Sequence, residues 1–291
     1  MAPAKIFTKT TTTKVSSILD LPVDNRNDLS LTRLNQLLYI PETGIWAPGK
    51  KATPIFDFSS RFNRSVNSWF TADYVGFNED VMTQAKKTAA AVISSDDVSS
   101  PSPDPSIIFK LSRTHWYNDS KLIVTKPGHV HRTEDDEVDA PIAGNEGRND
   151  TGSGSSGSPI LAEYSSPLLA YGVTHISFPE DSLHSAHAIK IRPLNATRRS
   201  QSFVQDSVTY AWDMNKKLFP GGGGVLSLYK GIGATKKVEI GRYQSDNGKF
   251  VPGGMLVIDS DEVDVLVAVL TLLAVLGQRD SFSFPTGTHV P

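Results

Sequence analysis

Val265-Leu-Val-Ala-Val-Leu-Thr-Leu-Leu-Ala-Val-Leu276 carries no charge and one polar residue, Thr271. A membrane-spanning helix needs ~20 apolar residues, whereas a run of ~10–14 reads as a buried core helix. Asp259, Ser260, Asp261, Glu262 and Asp264 lie just upstream. Asp259 and Glu262, three apart, have the spacing of a capping box, and these acids suit the positive end of a helix dipole. Gly277 and Arg279 suit the other end. A helix from Asp261 to Leu276 is roughly 24 Å long at ~1.5 Å per residue. Apolar on every face, it must be surrounded, and one β-sheet wrapped around it satisfies helix and strands together. The β-branched content also permits a strand pair, and the position permits a tail anchor.

Outward from this run, residues 107–258 read as short β-rich segments separated by turn residues. The candidates are Ile107–Ser112, Lys121–Lys126, Ile160–Tyr164, Tyr171–Phe178, Ala188–Arg192, Val208–Asp213, Val225–Lys230, Lys237–Gln244 and Met255–Ile258. Ala188-Ile-Lys-Ile-Arg192 alternates as a strand with one wet face does. Gly221–Gly224, Gly231-Ile232-Gly233 and Asp246-Asn247-Gly248 supply hairpin-type connections. Such a series predicts an antiparallel sandwich or barrel. It is interrupted at 133–158 by an acidic, then Gly/Ser-rich insertion. Seven acids between Glu134 and Asp150 stand against Arg148 alone, so the stretch reads as a long mobile loop.

Residues 1–106 have a different character. A Thr/Ser/Lys tract precedes Leu31, Leu34, Leu37 and Leu38, whose spacing predicts a short helix capped by Ser30 and stopped by Pro41. Aromatics from Trp46 to Phe77 follow no period, and a second helix is predicted over Glu79–Ile93. The Ser/Pro/Asp stretch before Ile107 cannot bury a core. The expected organisation is therefore a low-order N-terminal extension over 1–106, a barrel with a central helix over 107–280, and a tail over 281–291.

Across the 291 residues, 38% are hydrophobic and 21% charged, which suffices for a core but leaves part of the chain unstructured. The absence of cysteine rules out disulfides, a thiol nucleophile and Cys-based metal sites. A net charge of −2 argues against a nucleic-acid partner. The first 20 residues contain no apolar run of signal-peptide length, so a soluble, cytoplasmic protein is expected, peripheral to a membrane at most.

The strings SRTHWY (112–117), FPEDSLHSAHAIKIRP (178–193), VTYAWDM (208–214), LSLYK (226–230), EIGRYQ (239–244) and GGMLVID (253–259), followed by the apolar run, occur in an order and spacing that resemble the tubby C-terminal-like superfamily. That superfamily includes the LURP-one-related proteins and the phospholipid scramblases, and the resemblance over 107–280 is greatest to fungal proteins of this type. It implies a closed twelve-stranded barrel threaded by the hydrophobic C-terminal helix. It also implies a non-enzymatic binding or scaffold role, since tubby proteins bind phosphoinositides through basic residues. The scramblase activity is not carried over, because the apolar run is short and no cysteine is present to be palmitoylated.

Several constellations compete for chemistry. Gly154-Ser155-Ser156-Gly157-Ser158-Pro159 has the form that surrounds a chymotrypsin-like nucleophile, which makes a serine hydrolase using Ser156 the alternative reading. The upstream histidines His115, His129 and His131 lie too close to Ser156 for the first barrel of such a protease. His184 with His187, His129 with His131, and His175 can supply metal nitrogens but lack the companion pattern of a zinc site. No catalytic residue, metal or cofactor is therefore assigned. Between Ala188 and Lys249, eleven basic residues stand against four acidic ones. From these, Lys190, Arg192, Arg198, Arg199, Lys236, Lys237 and Arg242 form the candidate site for an anionic phospholipid headgroup. The acidic 134–150 stretch would screen that site if it folded over it. Protein contacts through residues 1–106, in the manner of an accessory factor, are the remaining expectation.

Overall fold

A computed structural model describes residues 17–24, 33–42, 52–62, 69–71, 76–94, 105–113, 119–127, 160–167, 173–194, 200–214, 224–246 and 252–281. Its centre is a closed barrel of twelve antiparallel strands. In chain order these are β1 (Gln36–Ile40), β2 (Thr53–Asp57), β3 (Ser106–Arg113), β4 (Asp119–Thr125), β5 (Ile160–Pro167), β6 (Thr174–Ser177), β7 (Ile189–Pro193), β8 (Gln201–Gln205), β9 (Val208–Asp213), β10 (Val225–Ile232), β11 (Lys236–Ser245) and β12 (Gly254–Ile258). Each strand pairs with its sequence neighbour, and β1 closes the ring on β12 through partners from Gln36–Ile258 to Ile40–Gly254. Among the described residues two α-helices accompany the strands, α1 (Glu79–Ser94) and α2 (Val265–Ser281).

An eight-stranded barrel is just filled by its own side chains, and diameter grows with strand number. Twelve strands leave room for a helix, and α2 occupies it. Leu266 to Leu273 are fully buried, including Ala268 and Leu272. They form one core with inward residues of the strands, such as Leu38, Leu122, Ile191, Trp212, Leu228 and Leu256. The expected fold class is the one observed. The helix starts later than expected, at Val265, and its cap is Asp264, whose carboxylate accepts from the Val267 amide at 3.1 Å. Asp259 instead caps the preceding turn, accepting the Asp261 amide on its side chain and the Glu262 and Val263 amides on its carbonyl. The helix also continues through Gly277 to Ser281.

All nine expected strands are present. The helix expected around Leu31–Leu38 is not: Gln36–Ile40 is β1. Leu38 and Ile40 point into the barrel, while Leu37 and Tyr39 lie in a second core on its outside. A strand buried on both faces is a nearly continuous apolar run, and that run mimics helical spacing. The boundary at 106/107 is likewise corrected, because β1 and β2 complete the barrel. The second core is roofed by α1, which lays Val81, Met82, Ala85 and Ala89 over Leu37, Phe56, Met255 and Val257. The segments at 133–158 and 282–291 lie outside the described residues.

Candidate functional site: the outer face of β7

In β7, Ile189 and Ile191 are buried while Lys190 and Arg192 are exposed on the opposite face. This follows from the two-residue period of a strand with one face on the core. Lys190 stands opposite His175 on β6, His175 opposite Ser165 on β5, and Ser165 opposite Lys121 on β4. Four polar side chains thus form a row across four strands, about 14 Å long at the usual strand spacing. Lys121 is neutralised by Glu163 at 2.9 Å. Neither Lys190 nor Arg192 forms an ion pair among the described residues.

The rest of the expected basic site is dispersed. Lys236, Lys237 and Arg242 belong to β11, four strands from β7 in a ring of twelve. Lys236 faces Asp24 at 3.5 Å. Lys237 is 6% exposed; its ammonium donates to the Leu19 carbonyl at 2.6 Å and lies 4.6 Å from the Tyr229 ring centre. Arg242, 8% exposed, is held by both oxygens of Glu239 at 2.8 and 2.9 Å and lies over Phe70. Buried and bonded, these two are part of the scaffold. Arg198 and Arg199 lie outside the described residues, as do Ser156 and the acidic stretch 134–150.

A second polar cluster, missed in the sequence, closes the barrel where α2 enters it. Glu262 binds Arg33 at 2.7 Å and also pairs with Lys230 of β10, and Arg33 reaches Asp259 at 3.5 Å. The Lys230 hydrogen bond holds the Glu262 carboxyl below its ordinary range, whereas burial pushes Asp259 up. Tyr210 donates to the Glu262 carbonyl at 3.1 Å. His184 meets the Asp264 carboxylate through Nδ1 at 2.9 Å. Every charge in this cluster is answered by another element, so it fastens the helix entry.

Around α1, Lys86 pairs with the buried Asp246 at 2.7 Å. Burial first, and then Asp246 and Glu42, raise the Tyr39 phenol far above its ordinary value. Among the described residues no group of three or more His, Asp or Glu is placed to hold a metal. A pocket of about 250 Å³ beside Ile160, Ser177 and Phe178 contains Glu163, already engaged by Lys121. Among the described residues, no helix is long and apolar enough to cross a membrane.

No family model, curated protein or solved structure matches the chain.

Proposed function

We propose that this is a tubby-like barrel acting as a non-enzymatic binding module, whose outer β7 face meets anionic phospholipid headgroups at a membrane surface. The observation that carries the reading is the exposed pair Lys190 and Arg192, on one face of one strand and without a carboxylate partner among the described residues. Strand geometry holds the two cations in fixed relation, while their long side chains stay free to reach phosphate oxygens. The filled interior supports an exterior site, since α2 takes the space where a barrel would otherwise hold a ligand.

The test is flotation of the full chain with vesicles of phosphatidylcholine, with and without phosphatidylserine. A cation near an acidic surface contributes ~1 kcal/mol, so Lys190→Glu with Arg192→Glu reduces partitioning by roughly thirtyfold or more. Lys237→Met changes it little, because Lys237 is already engaged. Equal flotation of the wild type with both vesicles, or of the charge-reversed and wild-type chains, overturns the proposal.

A further inference from the structure

The outer surface of β9–β11 has a notch. Ala211 on β9 and Gly231 on β10 leave little side chain there, and a Cβ on Gly231 would lie 3.2 Å from Ile18 Cδ1 and 3.3 Å from the Thr209 carbonyl oxygen. Residues 17–24 fill the notch. Ile18 and Leu21 are buried against Ala211, with a single 3-10 turn over Ile18–Asp20 setting their spacing. Beyond them the chain becomes an added strand. Val23 bridges Lys237 in parallel, the Lys237 amide donates to the Pro22 carbonyl at 3.1 Å, and the Asp24 amide donates to the Lys237 carbonyl at 2.8 Å. Here the β11 edge is not taken by β12, whose pairing covers only Gly241–Ser245. The Lys237 ammonium holds the Leu19 carbonyl, and Lys236 faces the Asp24 carboxylate.

Main-chain pairing at a sheet edge, side-chain pockets beside it and a charge at the end are the parts by which sheets recognise extended peptides. We propose that the β9–β11 notch is a peptide-docking groove, occupied in cis by residues 17–24. Its partner in trans is an extended segment of another protein with the same pattern: two apolar residues three apart, a proline after the second, and an acid two residues beyond the proline. The pattern is set by what each position meets. Small residues under Ile18 and Leu21 admit branched aliphatic side chains. Pro22 contributes only its carbonyl to the pairing, so its missing N–H costs nothing. Lys236 selects the acid, and the Lys237 ammonium takes the carbonyl between the two apolar residues. Exchange is open because the resident segment buries only two apolar side chains, with Leu19 partly buried beside them, and Val23 remains 43% exposed. A tethered segment competes at an effective concentration on the order of millimolar, so a partner must match that figure or find the segment displaced. The groove makes no use of Lys190 or Arg192, so it stands or falls apart from the membrane reading.

The experiment uses the full chain and a fluorescein-labelled peptide of sequence Ser17–Asp24, read by anisotropy. The Ile18→Asp, Leu21→Asp variant, its own segment dislodged, is expected to bind the peptide at least tenfold more tightly than the wild type. Adding Gly231→Leu, which fills the notch from the barrel side, is expected to abolish that binding. Absence of binding to the folded double variant, or binding indifferent to Gly231→Leu, overturns the proposal. If the double variant does not fold, limited proteolysis of the wild type decides. Millimolar unlabelled peptide is expected to speed cleavage within residues 17–24, and unchanged cleavage overturns the proposal.

Discussion

The indole N–H of Trp212, on the inner face of β9, donates to the hydroxyl of Thr271 on α2 at 3.0 Å, and that hydroxyl donates in turn to the Ala268 carbonyl at 3.1 Å. Both side chains are fully buried. The only polar residue in the apolar run therefore satisfies the only hydrogen-bonding group of a large core aromatic. A helix apolar on every face can be rotated about its axis with little change in burial. A satisfied polar contact singles out one rotation.

Removing that hydroxyl leaves the indole donor buried and unpaired. Thr271→Val is expected to cost about 1–3 kcal/mol, measured by urea unfolding, and to broaden the near-ultraviolet signal of Trp212. Thr271→Ser keeps the donor and acceptor and is expected to recover most of the loss.

The N-terminal third of the chain cannot be removed without opening the barrel. Deleting residues 1–105 takes away β1 and β2, leaving the edges of β12 and β3 unpaired. Exposed strand edges invite association. The truncated chain is expected to lose cooperative unfolding and to elute as aggregates in size-exclusion chromatography, whereas a chain starting at Ser17 stays monodisperse.

Asp264 caps α2 and also holds His184. Asp264→Ala is expected to destabilise by about 1–2 kcal/mol, the range of a lost N-cap. Asp264→Asn, which retains a capping oxygen, loses less. Chemical denaturation of the two variants side by side separates the cap from the His184 contact.

Glu262 is expected to make the fold less stable in acid. Its carboxyl is held below the ordinary value of 4.5 by Lys230, against the opposing effect of burial. A lowered folded pKa gives stability that is present above the unfolded value and is lost as pH falls through the folded one. Asp259, raised by burial, has the opposite sign, and its penalty is relieved in acid. The stability difference between wild type and Glu262→Gln is therefore expected to be constant near neutrality and to shrink below about pH 4.5. Unfolding curves between pH 7 and pH 3 check this, and a difference independent of pH contradicts it.

Nine strands and both helices were legible because each carries a local signal: alternation in Ala188–Arg192, alanine and lysine in α1, an unbroken apolar run in α2. β8 was not, since Gln201 is a buried polar residue at an inward position and the turn to β9 uses Asp206 and Ser207 at positive φ, without glycine. β2 carries Pro54, which argues against a strand when read locally. β1 was misread because both of its faces are covered, one by the barrel core and one by α1. The candidate site shows the same division. The exposure of Lys190 and Arg192 follows from the alternation around them. The burial of Lys237 and Arg242 follows from Leu19, Glu239 and Phe70, two of which are far away in sequence.

Composition and periodicity alone determined that short strands accompany an apolar run in need of burial, because hydrophobic pattern is a property of neighbours along the chain. The strand pair and the tail anchor were excluded only by the structure. Tertiary structure decided that β1 pairs with β12 to shut the ring, that Asp264 rather than Asp259 caps the helix, and which cations remain in water. Those outcomes depend on contacts between residues distant in sequence. Whether a lysine is free or spent is set by the carbonyl or ring that the fold brings to it.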